Sequence, residues 1–298
     1  MPKIKLISYI FVALFIHQSI FANSDSLYAK IQAISKQAKG KVSIAASILE
    51  DSSSFSFYGD ELCVMQSVFK FPIALAVLDR IDKNEFSLKH KIHITPKEMI
   101  KDIWSPLRDS FPNGNINVSF EDLIKYMVSQ SDNIACDVLI KHLGKPKIVQ
   151  KYIQKFNVYD FMIKYNEVTM QKKWKNQYQN VCSPNAMVSI LTQFYNGKFL
   201  SETNTTFLYQ VMLETTTGKN RIVNLLPNGT KVAHKTGSSG TNENGMTAAV
   251  NDVGIITLPN GKHLAIAIFV NDAYADYVIL EKTIAETAKT IYEYYANE

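Results

Sequence analysis

The hydrophobic period of this chain changes twice, and the second change returns it to where it began. Residues 42–49 are rich in Val, Ile and Ala, and 55–59 alternate after a Ser-rich turn at 52–54, so a buried strand and its hairpin partner open the fold. Helical spacing then takes over in 70–81, 120–129, 134–142, 146–156, 184–195 and 202–214, with Gly144, Gly197 and Gly218 as stop signals after three of these runs. Strand-like patterning resumes at 231–236, 246–258 and 263–270, the last two joined by the turn Pro259-Asn260-Gly261-Lys262. Helices at 26–39 and 276–295 bracket the whole. Strands that come from both ends of a chain must meet in one sheet to bury their apolar faces. The pattern therefore predicts an α/β (α+β) fold, an antiparallel five-stranded sheet flanked by helices. Residues 23–64 and 215–298 supply the sheet part, and 65–214 form an all-helical insert. Within that insert 157–183 has no clear period, and a loop of such length is usually functional.

The first 22 residues read as an export signal. Lys3 and Lys5 precede an apolar run from Leu6 to Ile16, and Phe21-Ala22 leads into the polar Asn23-Ser24-Asp25-Ser26. The run is short for a bilayer about 30 Å thick, and no second candidate span follows. Removing residues 1–22 takes away two lysines and no acid, which lowers the formal charge from +5 to +3. No basic block or aromatic-interleaved stripe accompanies that mild charge, which argues against nucleic acid as a partner. The expected setting is the periplasm, with no membrane contact after signal removal and a monomer as the default state.

Three short motifs carry chemistry. Ser67-Val68-Phe69-Lys70 is the only Ser-x-x-Lys in the 298 residues. Positions three apart share a helix face, so Lys70 can lie beneath the Ser67 hydroxyl and assist removal of its proton. Ser67 at a helix start also turns its own N–H toward developing negative charge. Ser131-Asp132-Asn133 falls where one helix stops and another starts; Asp132 suits a capping role there, while Ser131 and Asn133 can reach into a cleft. Lys235-Thr236-Gly237-Ser238 lies on a strand, where alternation sends Thr236 and Ser238 to one face and Gly237 admits a close backbone approach. An amide at Ser238 facing that of Ser67 completes an oxyanion pair. His90 and His93 have ligand-like spacing but no accompanying Cys or carboxylate cluster, so no metal and no cofactor is expected.

Together these residues resemble the class A serine β-lactamases, and within them the PER-like and VEB-like extended-spectrum enzymes. The resemblance extends over Gln66 to Ile73, Gln177-Tyr178-Gln179-Asn180, Thr215 to Arg221 and Ala233 to Gly237. It implies β-lactam substrates, Ser67 as the acylated nucleophile, Lys70 in proton transfer and Ser131 as proton donor to the departing nitrogen. It also implies Lys235, Thr236 and Arg221 at the substrate carboxylate, Asn133 at the acylamido side chain and Trp104 as a cleft wall. Glu167, inside 157–183, matches the glutamate that activates the deacylating water. The chain departs from the commoner pattern with Met170 and Gln171 after that glutamate, and with Tyr165 and Asn180 where an arginine–aspartate pair clamps the loop. Two alternatives share most of these residues: a D,D-peptidase or transpeptidase, and a sensor that acylates and stops. The three cysteines, Cys63, Cys136 and Cys182, leave at least one thiol unpaired within the chain. A Cys63–Cys136 bridge is one expectation, since each lies near a motif, and three buried free thiols are the other.

Overall fold

The computed structural model describes residues 25–297. The basic–apolar start assigned to export lies outside them. Helix α1 covers 25–35. Strands β1 (Lys41–Ile48), β2 (Ser54–Phe57) and β3 (Cys63–Val64) follow, then α2 (Lys70–Asp82), β4 (Lys91–Ile94), α3 (Pro106–Ser110) and β5 (Ile116–Ser119). Helices α4 (Phe120–Ser129), α5 (Asn133–Leu143) and α6 (Pro146–Gln154) lead to β6 (Phe161–Ile163), α7 (Glu167–Gln171) and β7 (Asn180–Cys182). Helices α8 (Pro184–Tyr195) and α9 (Glu202–Leu213) come next, followed by β8 (Val232–Ser238), β9 (Thr247–Thr257), β10 (His263–Ala273) and α10 (Tyr277–Ala296).

The main sheet is antiparallel throughout, in the order β2-β1-β10-β9-β8. Its strands are apolar on both faces because helices cover both. In β10, Ile266, Ile268 and Val270 join Leu27, Ile31, Leu280 and Ile284 on the α1/α10 side. The alternate residues Ala265, Ala267 and Phe269 join the core of the helical part. The period of two thus distributes one continuous apolar run between two cores.

The inserted part is not helical throughout. β3-β7-β6 form a three-stranded sheet, and β4 pairs with β5 in a ribbon. These strands are two to four residues long, too short to show a period against their neighbours. Among the described residues no helix is long and apolar enough to cross a membrane.

The expected Cys63–Cys136 bridge is not formed; all three cysteines are free and buried. The charged groups around the two thiols differ entirely. Lys41, Glu61 and Asp272 act on Cys63, whereas Lys70, Glu167, Asp137 and Asp132 act on Cys136. Nearness of each cysteine to a motif in sequence did not bring the two thiols together.

Two buried asparagines tie the main sheet to the segment before Ser67. Asn251 Nδ2 donates to the carbonyls of Val64 (2.8 Å) and Met65 (3.1 Å), and Asn271 Oδ1 accepts from Val64 N at 2.7 Å. Gly237 completes the join, since a Cβ there would lie 2.3 Å from the Met65 carbonyl oxygen. The close approach that this glycine permits is therefore to the protein's own backbone. Replacing Asn251 by Ala removes one hydrogen bond from each of these two carbonyls, leaving Met65 O with Val68 N and Val64 O with Asn271 Nδ2, and should cost about 1–3 kcal/mol of folding stability. Equilibrium denaturation measures this, and a variant as stable as its parent would contradict the linkage.

Candidate active site

Ser67 sits on a 3₁₀ turn, Gln66–Phe69, that runs directly into α2. The residue before it, Gln66, holds φ at +47°, a left-handed conformation costly for a side chain of this size. Gln66 is fixed there by its amide, which donates to Gln177 Oε1 at 2.5 Å. Lys70, one turn on, is fully buried, with Nζ 3.0 Å from Ser67 Oγ. The same ammonium reaches Ser131 O at 2.7 Å, Asn133 Oδ1 at 2.5 Å and Glu167 Oε1 at 2.9 Å. Ser67 Oγ also donates to Glu167 Oε1 over 3.4 Å. One water can therefore stand within hydrogen-bond reach of both oxygens.

Ser131 holds φ at +59°, which turns its carbonyl to Lys70 and its hydroxyl to Lys235, whose Nζ donates to Ser131 Oγ at 2.9 Å. Burial first, and the charge of Lys70 second, push the Lys235 ammonium well below the usual lysine range. The carboxylates of Asp252 and Glu167 act against that shift without cancelling it. Asp132 caps α5 through Ala135 N (2.8 Å), and its second oxygen accepts from Ser105 Oγ (2.8 Å) and Leu107 N (2.7 Å). That bond fixes the Trp104 segment beside the motif, where Trp104 O accepts from Asn133 N and its indole donates to Gln130 O at 2.9 Å. Trp104 itself is 60 % exposed.

A cavity of about 290 Å³ unites the candidates: Ser67, Trp104, Ser131, Asn133, Glu167, Arg221, Thr236 and Ser238 all line it. Lys70, Lys235 and Gly237 lie beneath its surface. Larger cavities of about 530 Å³ and 720 Å³ exist elsewhere, but neither contains the serine with its base. The chemistry, not the volume, marks the site.

The architecture has known counterparts. Residues 26–295 match the model of the β-lactamase enzyme family. The chain belongs to that family. It is 43% identical over 279 residues to β-lactamase VEB-1 of Pseudomonas aeruginosa, covering 93% of each chain. It is 36% identical over 273 residues to the extended-spectrum β-lactamase PER-1 of the same organism, covering 92% of this chain and 88% of that one. The crystal structure of TLA-1 extended-spectrum β-lactamase superposes with a TM-score of 0.90 at 43% identity, covering 92% of this chain and 99% of that one.

In this β-lactamase Arg221, expected at the substrate carboxylate, lines the cavity and is also bound into the protein around it. It is buried, and all five N–H groups are taken: Nε by Glu281 (3.0 Å), Nη1 by Gly237 O (3.1 Å) and Asn251 O (2.9 Å), and Nη2 by Ser238 Oγ (2.7 Å) and Tyr277 OH (2.9 Å). It braces the end of β8, and the hydroxyls facing the cavity there include those of Thr217 and Thr236, 2.6 Å apart.

Sequence reasoning missed the group that secures the loop. Asp137 Oδ1 accepts from Glu167 N at 2.7 Å, and its Oδ2 from Asn166 Nδ2 (2.7 Å) and Val168 N (3.0 Å). A signal existed, because Asp137 lies four residues after Asn133 on the same face of α5. At the loop's neck Asn180 Oδ1 accepts from the backbone N–H of Lys164 (2.9 Å) and Tyr165 (3.0 Å), and Nδ2 returns to Tyr165 O at 2.8 Å. An amide that both donates and accepts replaces an ion pair. Gln171, one of the departures, donates to Glu167 Oε2 over 3.4 Å.

Burial first and the charge of Glu167 second push the Asp137 carboxyl up to about 7. The folded chain then binds more protons than the unfolded one between about pH 4 and 7, so this group lowers stability as pH rises through that window. Melting curves across the window should fall with pH, and more shallowly in Asp137→Asn. An unchanged slope in that variant would contradict the assignment.

Proposed function

We propose that this chain opens the β-lactam ring of penicillins and cephalosporins through an acyl-enzyme on Ser67 and then hydrolyses that ester. One observation carries the reading: the Glu167 carboxylate stands 2.9 Å from Lys70 Nζ and 3.4 Å from Ser67 Oγ in the same buried site. A pocket built only to be acylated has no need of that second carboxylate.

In acylation the Ser67 proton passes to Glu167, directly or through water, while Lys70 offsets the charge that develops on Oγ. The attacked carbonyl oxygen is held by the amides of Ser67 and Ser238. When the ring C–N bond breaks, Ser131 gives its proton to the nitrogen while the adjacent Lys235 favours the transient alkoxide, and the proton that Glu167 took up returns by way of Lys70 and water to Ser131, so that Glu167 enters deacylation as a carboxylate. Lys235, Thr236 and Thr217 receive the substrate carboxylate, with Arg221 holding Ser238 in place, while Asn133 takes the acylamido group and Trp104 walls the cleft. In deacylation Glu167 draws a proton from water, which attacks the ester and returns Ser67 to its hydroxyl form.

Extended-spectrum relatives support oxyimino-cephalosporins among the substrates, with antibiotic resistance as the outcome. The basic and apolar start supports export to the periplasm.

Purified protein should turn over a chromogenic cephalosporin repeatedly, whereas one slow stoichiometric burst would indicate a penicillin-binding peptidase or a sensor. Ser67→Ala should abolish turnover. Glu167→Ala should slow deacylation about 10²–10⁴-fold and let the acyl adduct accumulate in intact-mass spectra. An active Glu167→Ala enzyme with no adduct would overturn the role given to this carboxylate.

A further inference from the structure

The register of the small sheet sets two cysteines directly opposite one another. Cys63 on β3 pairs with Cys182 on β7. Residues so opposed have Cα atoms about 4.5–5.5 Å apart and side chains on one face, within the roughly 4.4–6.8 Å that a disulfide spans. Both thiols are buried, and each donates only a weak bond to a nearby carbonyl, Cys63 to Glu61 at 3.4 Å and Cys182 to Ser183 at 3.2 Å. Cys136 shares none of the charged neighbours of Cys63. Cys63 is also approachable, since with Val64, Val181 and Tyr178 it lines the cavity of about 720 Å³ beside β1.

We propose that Cys63 and Cys182 form a cross-strand disulfide, and that this oxidised chain is the working form in an oxidising compartment. The oxidant is a disulfide, either a small molecule such as oxidised glutathione or a protein. The Cys63 thiolate attacks one sulfur of that disulfide, giving a mixed disulfide and one free thiol. Cys182, after losing its proton, attacks the Cys63 sulfur and releases the second thiol. Two electrons and two protons pass from the cysteine pair to the oxidant, and one S–S bond replaces another. Burial pushes the Cys63 thiol up to about 12, so the exchange runs faster while the chain is still folding.

The position gives the bond a purpose. β3 leads through Met65 and Gln66 to Ser67, and β7 is the return of the loop that carries Glu167. Met65 N already donates to Asn180 O at 3.0 Å, beside the bond from Gln66 to Gln177. A disulfide at this point closes the whole segment from Val64 to Val181 into one covalent loop and limits separation of the two catalytic segments.

The idea takes its cellular setting from the export reading, but its test needs only the purified chain. That chain is equilibrated with oxidised and reduced glutathione, alkylated under denaturing conditions and digested without reductant. The expected result is one linked peptide pair containing Cys63 and Cys182, with Cys136 alone alkylated. The pair persists in Cys136→Ala and is lost in Cys182→Ser. The oxidised parent should melt several degrees above the reduced parent, a difference absent in Cys182→Ser. Three alkylated cysteines, a glutathione adduct that remains on Cys63, a link to Cys136 or an unshifted midpoint would each overturn the proposal. Loss of β-lactam turnover would leave these readouts untouched, so the two readings fail separately.

Discussion

A buried ammonium surrounded by acceptors governs this site. Lys70 has three protons and four oxygens within 3.0 Å, on Ser67, Ser131, Asn133 and Glu167. Taking a cation and a carboxylate out of water costs several kcal/mol per ion, and only close pairing with further hydrogen bonds offsets that. The pair is therefore poor evidence of stability and good evidence of function. Its geometry requires three separate parts of the chain: the turn at Ser67, the left-handed residue Ser131 and the loop that carries Glu167. Each is held by contacts that a stability argument alone would not supply.

The loop shows how the same end is reached by other means. Neither an arginine–aspartate clamp nor a Leu-Asn pair is present. Asn180 closes the neck through backbone groups of Lys164 and Tyr165, and Asp137 gathers three N–H donors at the start of α7. Asp137 also faces Glu167 electrostatically, so the carboxylate that positions Glu167 disfavours a second charge beside it. Anchoring and electrostatic tension come from one residue.

Much of this was legible in the sequence where the signal was periodic. The bounds of α4 and α8 match the expected 120–129 and 184–195 because each carries an uninterrupted apolar face with a capping serine, Ser119 or Ser183. The five strands from both chain ends were legible for the same reason, since apolar runs bounded by turns admit few other packings. Candidate residues on motifs were legible as candidates, and the groups that hold them in place were not. Asp137, Asn251 and Asn271 are polar groups whose role depends on which backbone comes to rest beside them. Arg221 was read at the substrate carboxylate and lines the cavity, but its partners Glu281 and Tyr277 come from α10, which no local pattern connects to it. Of the two readings of the cysteines, three buried free thiols are found and the Cys63–Cys136 bridge is not, and that Cys63 faces Cys182 depends on the register of two very short strands.

The central claim is that one carboxylate, held by a rebuilt loop, serves the ester that forms on Ser67. A crystal structure of the Glu167→Gln variant trapped with a cephalosporin tests it most directly. The account predicts continuous density from Ser67 Oγ to the opened substrate, its carbonyl oxygen at the amides of Ser67 and Ser238, and the new carboxamide within one water's reach of the ester carbon. An ester with residue 167 turned away from it, or an adduct on any other residue, would contradict the account.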